Sequence, residues 1–426
     1  MRRVIIRGGR VIDGEARRTE PADILIEGGT IREVGPPGMA APEDAEAFDA
    51  AGMLMHPGLV NAHTHGVGNL CKGCSDRYTL EILLAGVDDT SEHQSLEMKY
   101  LNTFIGAVEM VQKGCTTAYD LTFGVPLAST AELTAIGQAY LDAGMRAVVA
   151  PMIADLTLYE AIPGLFDALS PDMQAAVRRS ERDSPALILD AMRDALHGWP
   201  LDPDRVRLGV APTIPLHCSD ELIRCSAALA REYGAPLQSH VAESKTQAVS
   251  AMQRWGCTIT RHIDRLGLTG PDLTLAHGVW LDDDDLRLLA DKGASVAHNP
   301  GSNMRLGSGI ADARRMLESG VNLAIGTDSA NCGDNLNMYE AMRYASMVSN
   351  VRGPDYKRWL TAPEIIHAAT VGGARATGFG TIGALAPGCA ADIVFLDDHV
   401  MGINSQVARQ LGLEIPDRLK GRVYTQ

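Results

Sequence analysis

The chain has 426 residues, 46% of them hydrophobic, and its 38 basic and 53 acidic side chains give a formal net charge of −15. Nucleic acids and anionic membrane surfaces bind basic surfaces, and this acidic chain has no basic run, so its composition argues against both partners. Its apolar stretches are shorter than the roughly 20 residues of a membrane span. Residues 1–7 lack the long apolar core of a signal peptide and are better explained as a strand.

Eight cysteines are spread along the chain without the spacing of a disulfide framework, which predicts reduced thiols in a cytoplasmic protein. The one close pair, Cys71 and Cys74, has the CxxC spacing of zinc ribbons and redox motifs. No second CxxC exists and no thioredoxin-like pattern surrounds this one, so we interpret the spacing as a coincidence.

Short apolar runs alternate with Gly-rich turns near both ends of the chain. A period-2 pattern of this kind predicts antiparallel strands. The predicted strands are Val4–Ile6, Ala22–Ile26, Ile31–Val34 and Ala391–Leu396. We therefore expect one small β domain formed by residues 1–56 and 376–426, with an atypical, helical or irregular tail over His399–Gln426.

Between these ends lie eight apolar strands, and each of the first seven is followed by at least one stretch with helical periodicity. The predicted strands are Gly58–His63, Thr116–Asp120, Arg146–Pro151, Val206–Pro212, Pro236–Glu243, Leu273–Gly278, Ala294–Asn299 and Asn322–Asp328. Ser219 and Asp282 stand at predicted helix N-caps, and Gly293 and Gly320 stand where helices end. Eight such units predict an α/β fold, a (β/α)₈ TIM-type barrel over residues 57–375, with its chemistry at the carboxyl ends of the strands.

Histidines and an aspartate stand at those strand ends. Period-2 alternation places His63 and His65 on one side of the first strand, while His240 ends the fifth strand and Asp328 the eighth. Three imidazoles and a carboxylate suit one divalent metal ion, zinc or iron, with a coordination position left for water whose pKa falls to about 7. We predict these four residues as the metal ligands, and Asp328 also belongs to the predicted catalytic set.

Two further residues at the strand ends are predicted to be catalytic. Glu243, three residues after His240, is placed to take a proton from the metal-bound water and return it to the substrate. His277 ends the sixth strand and is placed to orient the nucleophile or polarise the electrophile. The alternative for Glu243 is an acid that stabilises a helix N-terminus.

Six segments carry a resemblance to a known family. They are His56–His65, His240–Ser244, Ala276–Val279, Ala297–Met304, Gly326–Ser329 and Pro387–Val394. As an ordered set they resemble the amidohydrolase superfamily, in its deaminase branch of guanine, methylthioadenosine/adenosylhomocysteine and triazine deaminases and chlorohydrolases. The resemblance implies the same ligands and roles, a β-sandwich built from both termini, and a homo-oligomer.

Lysine placement indicates the subtype within that superfamily. Its binuclear members bridge two metals with a carboxylated lysine on the fourth strand, and no lysine lies between Lys113 and Lys245. The resemblance therefore implies a single metal and an aminohydrolase that releases ammonia from a small N-heterocycle of pterin, purine, pyrimidine or triazine type. The zinc signature of cytidine deaminases is absent.

Substrate contacts are expected on the loops after the strands. His217 and Asn303 are the favoured candidates, because turns rich in Pro and Gly hold them near strand ends. Cys332, at a position where many relatives have Ser, favours an amino leaving group, although a buried inert thiol explains it equally well. His298 is interpreted as a packing residue. The remaining candidates, each also explicable as a solvated loop residue, are Asn69, Lys72, Asp76, Arg77, Asp120, Asp155 and Thr213.

Two functions other than deamination are compatible with parts of the sequence. On the same fold, the chain could hydrolyse a cyclic amide or a ring-bound halogen. A non-enzymatic scaffold is disfavoured because every ligand and Glu243 are retained. The segment Val67–Leu84 lacks the Met-rich run of adenosylhomocysteine deaminases, which argues against a nucleoside, and the negative charge of the chain argues against a strongly anionic substrate.

Overall fold

The computed structural model describes residues 1–12, 18–86, 94–123, 128–180 and 182–397, together with 423–424; for 18–20, 397 and 423–424 it describes the backbone alone. The predicted irregular tail His399–Gln426 lies outside the described residues apart from those two. The strands are β1 (Arg3–Ile12), β2 (Arg18–Glu27), β3 (Thr30–Gly35), β4 (Glu46–Asp49), β5 (Met53–Pro57), β6 (Leu59–Thr64), β7 (Cys115–Phe123), β8 (Arg146–Ile153), β9 (Val206–Leu208), β10 (Ala211–Pro212), β11 (Leu237–Val241), β12 (Leu273–His277), β13 (Ser295–His298), β14 (Asn322–Ile325), β15 (Ile393–Asp397) and β16 (Val423–Tyr424).

The helices lie mainly between the strands of the central region. They are α1 (Leu80–Gly86), α2 (Leu96–Gln112), α3 (Thr130–Asp142), α4 (Leu158–Ala161), α5 (Leu165–Ala168), α6 (Pro171–Arg179), α7 (Pro185–His197), α8 (Asp220–Tyr233), α9 (Lys245–Trp255), α10 (Ile259–Arg265), α11 (Asp283–Lys292), α12 (Pro300–Arg305), α13 (Ala313–Glu318), α14 (Ala330–Gly333), α15 (Met338–Val351), α16 (Ala362–His367) and α17 (Gly373–Thr377). A π-helical turn, Ala368–Gly372, joins the last two.

Strands from both ends of the chain form one sheet. Its order is β16-β15-β5-β1-β2-β3, with β4 also paired to β1. The strand β15 runs antiparallel to β5 and pairs Ile393 with Pro57, so the carboxyl-terminal segment completes the sheet that the amino-terminal segment begins. A single shared sheet is thus present; the β-sandwich and the domain boundaries at residues 56 and 376 stay predictions.

The central strands are parallel and form two sheets, β10-β8-β7-β6 with β9 paired to β8, and β11-β12-β13-β14. A parallel bridge between Val210 and Leu237 joins the two sheets at one side. At the other side, the Asp328 amide donates a hydrogen bond to the His63 carbonyl at 2.9 Å. All eight predicted strands are present, with the fourth divided into β9 and β10. The hydrogen bond between Asp328 and His63 brings the carboxyl ends of β6 and β14 together, so residues from both strands can form one site.

The helices begin and end where capping chemistry predicts. The Ser219 hydroxyl accepts from the Leu222 amide at the start of α8, and Asp282 forms a capping box with Asp285 at the start of α11. Gly293, with φ 71°, ends α11 in the left-handed conformation that glycine adopts without strain. The apolar faces of these helices pack on the parallel strands in one large buried cluster.

The described part of the chain contains no helix that is long and apolar enough to cross a membrane. The cytoplasmic location and the homo-oligomer stay predictions.

Candidate active site

His63 lies at the centre of the site and is fully buried on β6. Its Nδ1 atom lies 2.6 Å from the Oε1 atom of Gln238, whose amide nitrogen in turn donates to the Ala62 carbonyl at 3.0 Å. Because an amide oxygen only accepts, His63 Nδ1 carries the proton and Nε2 keeps its lone pair. That Nε2 atom is buried without a hydrogen-bond partner.

His65 and His240 are held in the same way by backbone carbonyls. The Nδ1 atom of His65 lies 2.6 Å from the Leu121 oxygen, and that of His240 lies 2.6 Å from the Thr213 oxygen. Each Nδ1 therefore donates, and each Nε2 presents a lone pair to the space between the strands. The two Nε2 atoms lie 3.3 Å apart.

Asp328 brings a carboxylate to these imidazoles. Its Oδ1 atom lies 3.4 Å from Nε2 of His63 and 3.3 Å from Nε2 of His65. Two overlapping groups, His63 with His65 and His240, and His63 with His277 and Asp328, each place their ligand atoms within 4.8 Å of one another. Three neutral imidazoles and a carboxylate at this spacing are a donor set that suits a divalent metal ion.

The backbone at this edge is strained at three residues. Ala242, His277 and Asp328 adopt positive φ angles of 53°, 75° and 63°. Residues other than glycine rarely enter this region, and when they do they cluster at functional sites. Beside Asp328, a Cβ atom on Gly326 would lie 2.8 Å from the His63 carbonyl oxygen, so only glycine permits β14 to approach β6 this closely.

Glu243 and His277 stand beside the four metal-binding candidates. The Oε2 atom of Glu243 is buried without a hydrogen-bond partner, 3.6 Å from Nε2 of His277. Burial and the nearby charges of Asp328 and Glu81 raise the pKa of Glu243 well above its usual range. A carboxyl group with a raised pKa is suited to receive a proton and pass it on.

Burial sets the protonation state of two histidines of the site. It lowers the pKa of His277 to about 3 and that of His240 well below its ordinary value, which keeps both rings neutral. Burial opposes ionisation of Asp328, but the His63 and His65 imidazoles beside its carboxylate outweigh burial and hold the Asp328 pKa well below its usual range. Neutral rings and an ionised carboxylate are the protonation states that bind metal.

His217 lies in a cleft next to this cluster. The cleft is lined by α1, α4, the turn at 214–217 and α9. Burial, with Arg182 and Arg254 nearby, lowers the pKa of His217 to about 4. The cleft reaches Glu243 through Gln247, whose side-chain oxygen accepts from the Glu243 amide at 2.9 Å.

Asn303 and Cys332 are both buried near the site. The Oδ1 atom of Asn303 lies 2.9 Å from Nδ1 of His277, while its Nδ2 atom has no partner. Cys332 packs against Leu80 and Leu306, and burial raises its thiol pKa well above the ordinary value. Asn303 thus contacts a candidate catalytic residue, and Cys332 has the environment of an inert thiol.

The other loop candidates contact protein groups. Asp120 accepts from the Gly66 amide and the Tyr140 hydroxyl, Asp155 accepts from the Ser219 amide, and Lys72 pairs with Glu109. Asn69 donates to two backbone carbonyls, Asp76 and Arg77 are exposed, and Thr213 holds His240 through its carbonyl. The His298 side chain is buried with neither ring nitrogen hydrogen-bonded, and its packing role stays a prediction.

Sequence reasoning missed Gln238 and Glu81. The Oε1 atom of Glu81 accepts from the Ser244 hydroxyl at 2.6 Å, so α1 is attached directly beside Glu243. Gln238 lies two residues before His240 and therefore on the same face of β11, which is the one signal in the sequence that pointed to it.

Comparisons with known proteins identify the family of the chain. The profile of the amidohydrolase family matches residues 54–413. A 5'-deoxyadenosine deaminase of Methanothermobacter thermautotrophicus is 32% identical over 92% of this chain and 84% of its own length. A 5-methylthioadenosine/S-adenosylhomocysteine deaminase of Thermococcus onnurineus is 31% identical over 95% and 88%. The interpretation against a nucleoside finds no support in these names.

Solved structures that resemble this chain include further deaminases and hydrolases. An adenosine deaminase from Xanthomonas campestris with bound zinc has a TM-score of 0.78 and 27% identity, covering 93% of this chain and 85% of that one. An atrazine chlorohydrolase from Arthrobacter aurescens complexed with zinc has a TM-score of 0.83 and 25% identity, covering 95% and 90%. With a profile match over most of its length and relatives above 30% identity along nearly all of it, the chain belongs to the amidohydrolase family.

Proposed function

We propose that this protein is a metal-dependent aminohydrolase that removes an amino group, as ammonia, from a carbon atom of an N-heterocycle. The observation that carries the proposal is the buried meeting of three imidazole Nε2 atoms and Asp328 beside the unpartnered carboxyl oxygen of Glu243. The deaminase names of relatives above 30% identity support the reaction type and favour an aminated purine among the heterocycles.

His63, His65, His240 and Asp328 are proposed to hold one divalent ion, with zinc favoured by the zinc-bound structural relatives. The fit rests on His63, whose buried Nε2 atom lacks a partner within the protein while its Nδ1 proton is bound by Gln238. An ion held there acts as a Lewis acid and lowers the pKa of a water molecule, which supplies the nucleophile at neutral pH.

Glu243 is proposed to move the protons of the reaction. Its carboxylate takes a proton from the attacking water and delivers it to the ring nitrogen next to the aminated carbon, and a second transfer lets the amino group leave as ammonia. His277, kept neutral by burial, lies 3.6 Å from Glu243 and is placed to stabilise charge on the attacking oxygen.

The cleft at His217 is proposed to receive the heterocycle. Its apolar lining favours a flat ring, and neutral His217 offers one polar contact. Asn303 and Cys332 were predicted as substrate contacts; the hydrogen bond between Asn303 and His277 favours an indirect role for Asn303, and the burial of Cys332 favours packing.

The parallel strands are proposed to close into one (β/α)₈ barrel, with the shared sheet of both termini as a separate β domain. The bridge from Val210 to Leu237 and the hydrogen bond from Asp328 to His63 support closure at the two seams. The similarity to the zinc-bound adenosine deaminase, which extends over 93% of the chain, is consistent with this arrangement.

Ammonia release across a panel of aminated purines, pterins, pyrimidines and triazines tests the reaction. In Glu243→Gln we expect kcat to fall by about 10²–10⁴-fold, because proton transfer is lost while the amide keeps the size of the side chain. Bound metal, measured by elemental analysis, is expected to stay at the wild-type level.

Three results would contradict the proposal. Full activity in Glu243→Gln would remove the proton-transfer role. Chloride released from a chlorinated triazine, without ammonia from any amine in the panel, would favour the halogen-hydrolase alternative. Bound metal far below one equivalent after expression with added zinc would favour a non-enzymatic scaffold protein.

A further inference from the structure

The pair Cys71 and Cys74, which the sequence alone left without a function, lies in one tight turn. The Cys74 amide donates to the Cys71 carbonyl at 3.2 Å, which closes a four-residue turn. Its third residue, Gly73, has φ 76°, as a type II turn requires at that position. Such a turn places the Cα atoms of its first and fourth residues within about 7 Å.

That separation suits a disulfide. Disulfide-bonded cysteines have Cα atoms about 4.4–6.8 Å apart, a range that the separation across this turn overlaps. The neighbouring charge of Cys74 and burial both raise the pKa of Cys71, which is consistent with two thiols that lie near each other.

The two thiols differ in exposure, which gives them different roles. Cys74 is exposed and Cys71 is half-buried, whereas Cys115, Cys218, Cys257 and Cys332 are buried. An exposed thiol is reached first by a reagent in solution, and a neighbouring thiol that is less accessible then resolves the product.

The turn is attached to the edge of the candidate active site. The Gly73 amide donates to Asp334 at 3.3 Å, and the Ser75 hydroxyl donates to the Asn331 carbonyl. Both acceptors lie in the segment that follows Asp328. The turn is therefore attached to that segment by two hydrogen bonds.

We propose that Cys71 and Cys74 form a dithiol site that exchanges with small-molecule disulfides and closes an internal disulfide. The Cys74 thiolate attacks one sulfur of the reagent RSSR, forms a mixed disulfide and releases RS⁻. The Cys71 thiolate then attacks the Cys74 sulfur and releases the second RS⁻. Two protein thiols are oxidised to one disulfide, RSSR is reduced to two RSH, and the Cys71 and Cys74 protons end on the two released thiols.

The test incubates the metal-loaded protein with oxidised glutathione, traps free thiols by alkylation and identifies the products by peptide mass spectrometry. In the wild type we expect the peptide containing both cysteines to lose two hydrogen atoms and carry no glutathione. Cys71→Ser should stop at the mixed disulfide on Cys74. Cys74→Ser should react about tenfold more slowly at Cys71, because the exposed thiol is gone.

Cys225 and Cys389, both half-buried single thiols in the same protein, are the internal controls. A wild-type product with glutathione on Cys71 or Cys74 and no internal bond would overturn the proposal, as would oxidation of the pair no faster than mixed-disulfide formation at the controls. Phenylarsine oxide, which bridges two nearby thiols, gives a second measurement. One equivalent of phenylarsine oxide should stay bound to the wild type when a monothiol is added. The same monothiol should displace it from Cys71→Ser and from Cys74→Ser.

Discussion

The residues at the strand ends and those on the following loops differ in how they are held. Each imidazole of His63, His65 and His240 has its Nδ1 atom fixed by an oxygen of another strand or loop, and its Nε2 atom lies among the other ligand candidates. Several loop candidates instead have their side chains bound to protein partners, as Asp120 and Lys72 do, although Asn303 keeps an unpartnered Nδ2 atom. The strand-end site differs in that several buried polar atoms without protein partners lie close together there, as His63 Nε2, His277 Nε2 and Glu243 Oε2 do.

Gln238 provides the strongest test of how the strand ends are held. In Gln238→Leu the acceptor for His63 Nδ1 is lost, the ring can turn or change tautomer, and we expect metal affinity to fall by about 10–100-fold. Metal content is measured by competition with a chelator. Gln238→Glu keeps an acceptor for His63 and is the matched variant, which should retain most of the metal. Equal affinity in the leucine variant and the wild type would show that the hydrogen bond does not position His63.

Asn303 tests whether a residue predicted as a substrate contact instead acts through His277. In Asn303→Leu the hydrogen bond to His277 Nδ1 is absent, and we expect kcat to fall by about tenfold or more with little change in KM, since the ring is misplaced. Asn303→Asp keeps an acceptor and should restore part of kcat with a shifted pH profile. A rise in KM alone, with kcat and the pH profile unchanged, would return Asn303 to the substrate contacts.

His217 tests the residues on the loops, and its substitution is expected to have the smallest effect on activity of the three. In His217→Phe one neutral hydrogen bond to the substrate is removed while the flat ring is kept, so we expect KM to rise by up to about tenfold. Metal content should stay at the wild-type level, because His217 contacts none of the proposed ligands. A loss of metal with no change in KM would show that the cleft is not the substrate pocket.

The sequence predicted the strands and the ligand candidates because both leave local signals. Apolar runs ended by polar residues located all eight strands, and the spacing of His63 and His65 placed them on one face. The break in the fourth strand was not predicted: a Cβ atom on Gly209 would lie 2.9 Å from Val148, a contact that depends on the neighbouring strand.

Contacts across the structure explain what the sequence could not show. Gln238 reaches His63 from a strand that is not its neighbour in either sheet, so its spacing from His240 shows the face of β11 on which it lies but not its partner. The hydrogen bond from His277 to Asn303 depends on the short helix α12. The spacing of Cys71 and Cys74 was visible, but their place beside the segment after Asp328 was not.

The positive φ angles of Ala242, His277 and Asp328 show that the fold holds these three residues in a strained backbone conformation. Each such residue costs of order 1–3 kcal/mol, which the rest of the fold must offset. The packed strands therefore fix the direction of these side chains before any ion arrives. Because that ordering is complete once the chain has folded, a metal ion entering the site meets a preorganised set of donors and loses little binding free energy to immobilising them.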